Sequence, residues 1–296
     1  KTLLDDYYCN SDALYDDGVA IYNMQEKARK LIADSFNVGK DEIIFTSGAS
    51  EANSLAIKGL CFNNTRKHLI TSIYEHSSVY NSFKQLEEHF GYDVTYLYPD
   101  EKGKKALRPD TLLVSIMLVN NEIGAVNNIN AIKEIVKKNS GTYFHCDITQ
   151  GLAKVDIDMR DIDMASFSAH KIHGLKGSGA LIKKKHVELL PIISGGQQEF
   201  GIRGGTSNAP TNIVLAKTVR LALEGMEAYN KHILELNKYF MERIKEIDGV
   251  TVNSFDTCLP SLINISTPIK SEVELNALNA RDIMVSSKST CGSRKN

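Results

Sequence analysis

The residues best suited to chemistry lie in one stretch, Ser166–Leu181. Lys171 in this stretch follows an apolar run that ends at Phe167, and it is flanked by Ser168 and His170. Loops that follow strand ends commonly carry functional groups. A lysine there can form a Schiff base, and pyridoxal phosphate is the cofactor that most often requires one. A solvated loop lysine, the usual role of this residue, is the alternative interpretation of this stretch alone.

Further groups of suitable chemistry follow the other predicted strands. Thr46–Glu51 is a glycine- and hydroxyl-rich turn at a helix N-terminus, where free N–H groups and the helix dipole favour a phosphate. His76 follows the next strand, and Asp147 follows a later one with Gln150 three residues on. Singly, each has a simpler role, such as helix capping by Ser50 or Asp147. Ligands of open parallel sheets bind at the carboxyl ends of strands, so jointly these groups predict a pyridoxal phosphate site.

The elements that position these groups alternate along the chain. Short apolar runs at 42–45, 68–72, 94–98, 112–119 and 142–146 are separated by helical patterns that include 77–90 and 131–138. This alternation predicts an α/β fold with a mostly parallel seven-stranded sheet covered by helices. The segments Ala165–Phe167 and Ala180–Ile182 are expected to form an antiparallel pair at one edge.

A change in pattern predicts two domains. Residues 1–207 form the expected large domain, with its N-terminal segment. The pattern of residues 208–296 predicts one or two long helices at its start. It then predicts short strands at 250–252, 262–265 and 283–285, and a helix near 272–280. We expect this second part to begin a smaller α+β domain, with a boundary within several residues of 207.

Composition excludes several classes of function. The 296 residues are 42% hydrophobic and carry a net charge of −1, without the imbalance typical of nucleic-acid or membrane-surface binding. The longest apolar run is too short to span a bilayer, and no signal peptide opens the sequence. The five cysteines are scattered and contain no Cys-x-x-Cys pair, which argues against a disulfide framework or a metal site. We expect a cytoplasmic protein that binds no nucleic acid directly and no membrane.

The ordered motifs resemble the cysteine desulfurases of the nitrogen-fixation and iron–sulfur-cluster type, within the class V aminotransferase-like family. The resemblance covers nearly the whole chain at near-family spacing. It is carried by Thr46–Glu51, Glu75–His76, Val119–Gly124, Asp147–Gln150, Ser166–Leu181 and Arg203–Thr206. It implies a pyridoxal-phosphate-dependent transferase fold of type I with pyridoxal 5'-phosphate as cofactor.

The resemblance also implies a role for each matched residue. Lys171 would hold the cofactor covalently, and Asp147 would pair with its pyridinium nitrogen. His76 would stack on the ring and move protons, while Gln150 would bond the ring hydroxyl. The remaining cofactor-binding predictions are Ala49, Ser50, Ser168 and His170 for the phosphate, Asn121 near the ring and substrate, and Thr206 for the phosphate of a partner subunit. The role implied for Thr206 also implies that the protein is a homodimer.

Cys291 matches the family nucleophile, because Val285–Cys291 resembles the Ser-Ser-Gly-Ser-Ala-Cys loop. The resemblance implies removal of sulfur from L-cysteine to give L-alanine and a persulfide on Cys291. An iron–sulfur scaffold or a tRNA-thiolation enzyme would then accept the sulfur. The composition of Ser286–Asn296 predicts a mobile loop.

The sequence departs from the family pattern at several points. The family's N-terminal Asp-Asn-Ala-Ala-Thr segment is missing, and the chain stops five residues past Cys291, before the arginine that binds the substrate carboxylate. Lys288 replaces a glycine in the cysteine loop, Leu175 a proline and His173 a tyrosine. Two alternatives therefore stay open: another lyase or transaminase on the same cofactor, and a degenerate, non-catalytic partner-binding homologue.

Overall fold

The computed structural model describes residues 5, 8–98 and 106–287, and within them the chain forms two compact units. The first contains Lys1–Leu118 and Asn128–Met226, and the second contains Val119–Asn127 and Glu227–Asn296. The domain boundary expected after residue 207 remains a prediction. In the structure, the helix that follows this point packs against the first long helix within the first unit.

The first unit is built on one seven-stranded sheet. Its strands are β1 (Ile43–Thr46), β2 (His68–Ser72), β3 (Asp93–Leu97), β4 (Thr111–Ser115), β5 (Tyr143–Asp147), β6 (Met164–Ser168) and β7 (Gly179–Lys183). Their spatial order is β1-β7-β6-β5-β4-β2-β3, and β7 alone runs against the others. The predicted mostly parallel sheet of seven strands is therefore confirmed.

One detail of the predicted topology is wrong. β6 and β7 pair antiparallel as expected, but the pair does not form an edge, because β1 bonds to the far side of β7. Gly179 permits this arrangement: a Cβ there would lie 2.5 Å from the carbonyl oxygen of Phe167 and 2.7 Å from Cα of Gly48. Only a residue without a side chain allows the backbones to approach so closely.

Burial explains why these segments became strands. All five residues of β4, β6 and β7 are buried, so both faces of the sheet are covered, as is usual for parallel sheets. Phe144 and Phe167 are completely buried on the sheet, and Phe83 is buried in the helix after β2. The core therefore lies between the sheet and its helices.

The first unit has helices before, between and after these strands. They are α1 (Asp16–Ser35), α2 (Ala49–Ser54), α3 (Ser77–Phe90), α4 (Ile129–Val136) and α5 (Ala209–Glu224). α2 continues directly into a π-helical turn, Leu55–Gly59, and a final turn, Leu60–Phe62. α3 matches the predicted helix at both ends, because Gly91 ends it in the left-handed conformation (φ 66°).

The second unit contains α6 (Met226–Ile244), α7 (Ser271–Asn279) and a two-stranded antiparallel sheet, β8 (Thr251–Val252) with β9 (Ile265–Ser266). The single or double helix expected over 208–247 is thus two helices. The predicted strand at 283–285 is wrong: this segment is irregular, because the small sheet offers it no pairing within the described residues. Among the helices of the described ranges, none is both long and apolar enough to cross a bilayer.

Candidate active site

The predicted functional residues of the first unit gather at one edge of its sheet. β1, β2, β5 and β6 all point the same way, so the turns that follow them share this edge. These four turns carry Ala49 and Ser50, His76, Asp147 with Gln150, and Ser168 to Lys171. The convergence is the one expected for a ligand site of an open parallel sheet.

Asp147 is the buried anion of the site. It ends β5 with 5% of its surface exposed. Its Oδ2 accepts a hydrogen bond from Nδ2 of Asn53 (2.8 Å), and its Oδ1 accepts one from the backbone N–H of Thr149 (2.9 Å). These donors orient the carboxylate and stabilise its charge, which is what a partner for a pyridinium nitrogen requires.

His145 supports β5 two residues before Asp147. It is completely buried, with Nδ1 at 2.8 Å from Oγ of Ser115 and Nε2 at 2.9 Å from Oγ of Ser166. Burial lowers the pKa of His145 to about 4, although the charge of Asp147 opposes this effect. The imidazole is therefore neutral at physiological pH and joins three neighbouring strands through side-chain hydrogen bonds.

His76 has an unusual position as the N-cap of α3. Its Nδ1 accepts a hydrogen bond from the backbone N–H of Ser78 (3.2 Å) and lies 2.8 Å from Oγ of the same serine. The Ser78 hydroxyl also accepts a hydrogen bond from Nδ2 of Asn53 (2.9 Å). Sequence reasoning missed both Asn53 and Ser78, although Asn53 lies one helical turn after Ala49 and therefore on the face of α2 nearest the site.

The turn before α2 has the features of a phosphate-binding turn. The N-cap residue of this helix is Gly48, which has no side chain to cap it and has a φ of 151° that side-chain-bearing residues rarely adopt. The backbone N–H of Ala49 lies 3.4 Å from Oγ of Ser168, which is 3.0 Å from Nδ1 of His170. Partial burial, followed by the charges of Lys171, Lys176 and His76, lowers the pKa of His170. An uncapped helix start beside a hydroxyl and an imidazole fits an anionic group.

Lys171 lies in a short 3-10 turn, Ala169–Ile172, that follows β6 directly, and its side chain is exposed. His173 ends the turn with a φ of 64°. The ammonium group of Lys154 lies 3.1 Å from the carbonyl oxygen of Gln150 and 3.5 Å from that of Lys171. Burial and then the charge of Lys171 lower the pKa of Lys154. An exposed amine held at this edge is available to a bound carbonyl compound.

An ion pair joins the start of α2 to the segment that carries Thr206. Nε of Arg203 donates to Oε1 of Glu51 at 2.8 Å. Burial acts to raise the pKa of Glu51, but the hydrogen bonds from Arg203 and Ser47 outweigh it and hold the pKa below its ordinary value. Thr206 is exposed three residues later. Its contact with a partner subunit remains a prediction.

Two predicted site residues do not belong to the described part of the first unit. Asn121 belongs to the second unit, in a loop where Asn120 accepts from the backbone N–H groups of Glu122 and Ile123 (both 2.9 Å). Its role near the substrate remains a prediction. Cys291 lies outside the described residues, as does most of its predicted mobile loop. The roles assigned above to the other site residues likewise stay predictions.

The residues present fit pyridoxal phosphate on the evidence of their own chemistry. The edge offers a buried, doubly hydrogen-bonded carboxylate, an uncapped helix start with hydroxyl groups and an exposed lysine. Oδ1 of Asn53 and Oε2 of Glu75 are buried without a hydrogen-bond partner. Fold and site together define a pyridoxal-phosphate-dependent enzyme of fold type I.

Comparison with known proteins agrees with this class. The aminotransferase class-V family model matches residues 1–295. A cysteine desulfurase IscS of Pseudomonas fluorescens is 41% identical over 283 residues, which are 90% of this chain and 69% of that protein. A solved NifS-like protein superposes with a TM-score of 0.93 at 32% identity, over 97% of this chain and 82% of that one. A structure of SspA in complex with cysteine has a TM-score of 0.84 at 35% identity, over 99% and 85%.

The chain belongs to the aminotransferase class-V family. Enzymes of this family and its cysteine desulfurases depend on pyridoxal phosphate, so the predicted family, fold type and cofactor are confirmed.

Proposed function

We propose that this chain is a pyridoxal-phosphate-dependent cysteine desulfurase that converts L-cysteine to L-alanine and retains the sulfur on Cys291. One observation carries the proposal: Asp147, Lys171 and the uncapped start of α2 converge on one sheet edge in a chain 41% identical to a cysteine desulfurase IscS. The relative with cysteine bound supports the substrate.

In this proposal, different residues of the site hold different parts of the cofactor. Asp147 would hold the proton on the ring nitrogen, Gln150 would bond the ring hydroxyl, and His76 would stack on the ring. Ala49, Ser50, Ser168 and His170 would hold the phosphate at the N-terminus of α2. When bound, pyridoxal phosphate supplies an electron sink for the charge that develops at the substrate α-carbon. Lys171 binds the cofactor and, when its amine is free, accepts the α-proton at Nζ.

Cys291 performs the sulfur step. Its thiolate attacks the sulfur of cysteine, so an S–S bond forms while the C–S bond of the substrate breaks. The electron pair of the broken bond stays on the three-carbon fragment, which takes up a proton and leaves as alanine. The persulfide then transfers its outer sulfur to an acceptor thiol.

Burial argues against two of the other thiols as nucleophiles. Burial raises the pKa of Cys61 to about 12 and raises that of Cys146 well above its ordinary value. The thiolate is the reactive form, so neither residue supplies one at neutral pH. This supports Cys291, with the partly exposed Cys9 and Cys258 as the remaining thiols.

The finer features of the function are also proposals. The chain works as a homodimer in which Thr206 reaches the phosphate bound by the partner, supported by the exposure of Thr206 beside the Arg203–Glu51 ion pair. It works in the cytoplasm, in keeping with four free cysteines among the described residues. The sulfur acceptor is an iron–sulfur scaffold or a tRNA-thiolation enzyme, and the chain itself binds no nucleic acid or membrane.

Product analysis tests the function. The protein, reconstituted with pyridoxal phosphate, is incubated with L-cysteine and a thiol reductant, and alanine, sulfide and pyruvate are measured. We expect alanine and sulfide in equal amounts, loss of both in Lys171→Ala, and unchanged rates in Lys176→Ala, an exposed lysine of the same loop. Pyruvate in place of alanine would indicate a lyase, and no product would indicate a non-catalytic homologue. Either result overturns the proposal.

A further inference from the structure

Three hydrogen bonds link Asp147 to His76 through two side chains that carry no assigned role. Nδ2 of Asn53 donates to Oδ2 of Asp147 (2.8 Å) and to Oγ of Ser78 (2.9 Å). Oγ of Ser78 lies 2.8 Å from Nδ1 of His76. The chain of contacts thus runs from the carboxylate at the end of β5, through α2, to the imidazole at the start of α3.

Only one orientation of the Asn53 side-chain amide allows hydrogen bonds to both of its neighbours. Asn53 is completely buried, and its two N–H hydrogens are both used, one by Asp147 and one by Ser78. Turning the amide over would place its oxygen against the carboxylate of Asp147, with like partial charges in contact. Asn53 is buried, so water does not replace either of its hydrogen bonds. The fixed orientation of the amide therefore holds both Asp147 and Ser78 in place.

The direction of the remaining bonds follows from this orientation. The Ser78 oxygen accepts from Asn53, which leaves its hydroxyl hydrogen to point towards Nδ1 of His76. The backbone N–H of Ser78, which can only donate, also points to Nδ1 (3.2 Å). Nδ1 is therefore an acceptor, and the neutral ring carries its hydrogen on Nε2.

We propose that Asn53 and Ser78 are positioning residues that hold Asp147 and His76 in one hydrogen-bonded unit, so that His76 exchanges protons only at Nε2. The inference rests on the proposed function where it assigns proton movement to His76. The bond from Asn53 to Asp147 distinguishes this unit from an ordinary helix cap, since capping α3 requires only the bond between the Ser78 N–H and His76.

The first test is spectroscopic and uses the cofactor-free protein. Long-range proton–nitrogen correlation spectra of the ¹⁵N-histidine-labelled protein report which ring nitrogen carries hydrogen, and His76→Gln assigns the signal. We expect an acceptor-type shift at Nδ1 in the wild type. In Ser78→Ala the Nδ1 signal should move only part of the way towards that of a freely exchanging imidazole, because the backbone N–H of residue 78 still donates to Nδ1. Ser78→Thr should restore the signal by returning the hydroxyl. Ser77→Ala, at the adjacent exposed position of the same helix, is the matched control.

The second test is kinetic and uses the reconstituted enzyme. Loss of one hydrogen bond that orients the ring is expected to lower kcat for cysteine in Ser78→Ala by about two- to tenfold, with KM nearly unchanged. In a double-mutant cycle, Asn53→Ala combined with Ser78→Ala should cost no more than Asn53→Ala alone, since both changes break one connection. The double-mutant cycle is interpreted only if Asn53→Ala retains the wild-type circular dichroism spectrum. If that variant misfolds, the proposal is tested by the Ser78 variants alone.

Several outcomes overturn the proposal. These are an unchanged His76 signal in Ser78→Ala, an unchanged kcat in that variant, or an equal loss of kcat in Ser77→Ala. Failure of the proposed function gives a different result: wild-type protein that makes no alanine, while Ser78→Ala still changes the His76 signal. In that case the hydrogen-bonded unit is supported and the proposed desulfurase activity is refuted.

Discussion

Replacing Glu75 by glutamine should remove a loss of stability that occurs as the pH rises from about 4.5 to about 8. Glu75 lies one residue before His76 and is buried. Its Oε1 accepts hydrogen bonds from the Ser72 hydroxyl (2.9 Å) and the backbone N–H of Met117 (3.0 Å), while Oε2 is buried without a partner. Burial raises the pKa of Glu75 to about 8, and the charge of Asp147 adds to this, against the opposing effect of the two hydrogen bonds.

The magnitude follows from linkage between protonation and folding. The folded protein retains a proton on Glu75 that the unfolded chain releases near its ordinary pKa of 4.5. Stability is therefore complete below about pH 4.5, falls by about 1.4 kcal/mol per pH unit above it, and levels off above about pH 8. The full loss is about 5 kcal/mol. Glutamine has a similar shape but does not ionise, so Glu75→Gln should lack this loss.

Urea unfolding of the cofactor-free protein at several pH values from 5 to 8.5 measures the effect. We expect the stability difference between Glu75→Gln and wild type to grow steadily with pH in favour of the variant. Glu51→Gln is the control: Arg203 holds the pKa of Glu51 below 4.5, so its contribution to stability is already complete above the unfolded pKa, and the variant should differ from wild type by a nearly constant amount over this pH range. Parallel pH curves for wild type and Glu75→Gln would refute a protonated Glu75.

Three further predictions concern the site. Asp147→Asn should fold normally but reduce alanine production at least tenfold, because the ring nitrogen loses its anion; unchanged production would contradict this role. Cys291→Ser should bind cofactor and cysteine yet carry no labelled sulfur after reaction with ³⁵S-cysteine, whereas Cys146→Ser should be labelled like wild type; label retained in Cys291→Ser would move the nucleophile elsewhere. Gly48→Ala should weaken pyridoxal phosphate binding in a fluorescence titration, since its Cβ would lie 3.2 Å from Oγ of Ser168 at a φ of 151°; unaltered affinity would argue against the phosphate-binding turn.

Much of the fold and site could be read from the sequence because the signals are local. Apolar runs mark the strands, and Gly91 marks the end of α3. In a parallel sheet the turns after the strands share one edge, so the order of Ser50, His76, Asp147 and Lys171 along the chain was enough to predict that they meet. The resemblance to the cysteine desulfurases then added the cofactor and the reaction, and the family and the relatives agree with both.

The tertiary structure decided what depends on which elements become neighbours. β7 lies inside the sheet because β1, which is distant in sequence, bonds to its far side, and no local pattern encodes that pairing. Asn53 reads in sequence as an ordinary helical residue, and Glu75 as an ordinary acid. Packing buries both against Asp147 and Met117, and burial with a particular set of donors gives Asn53 a fixed orientation and Glu75 a retained proton. Periodicity and composition describe one segment at a time, whereas hydrogen-bond partners and desolvation arise only when distant segments pack together.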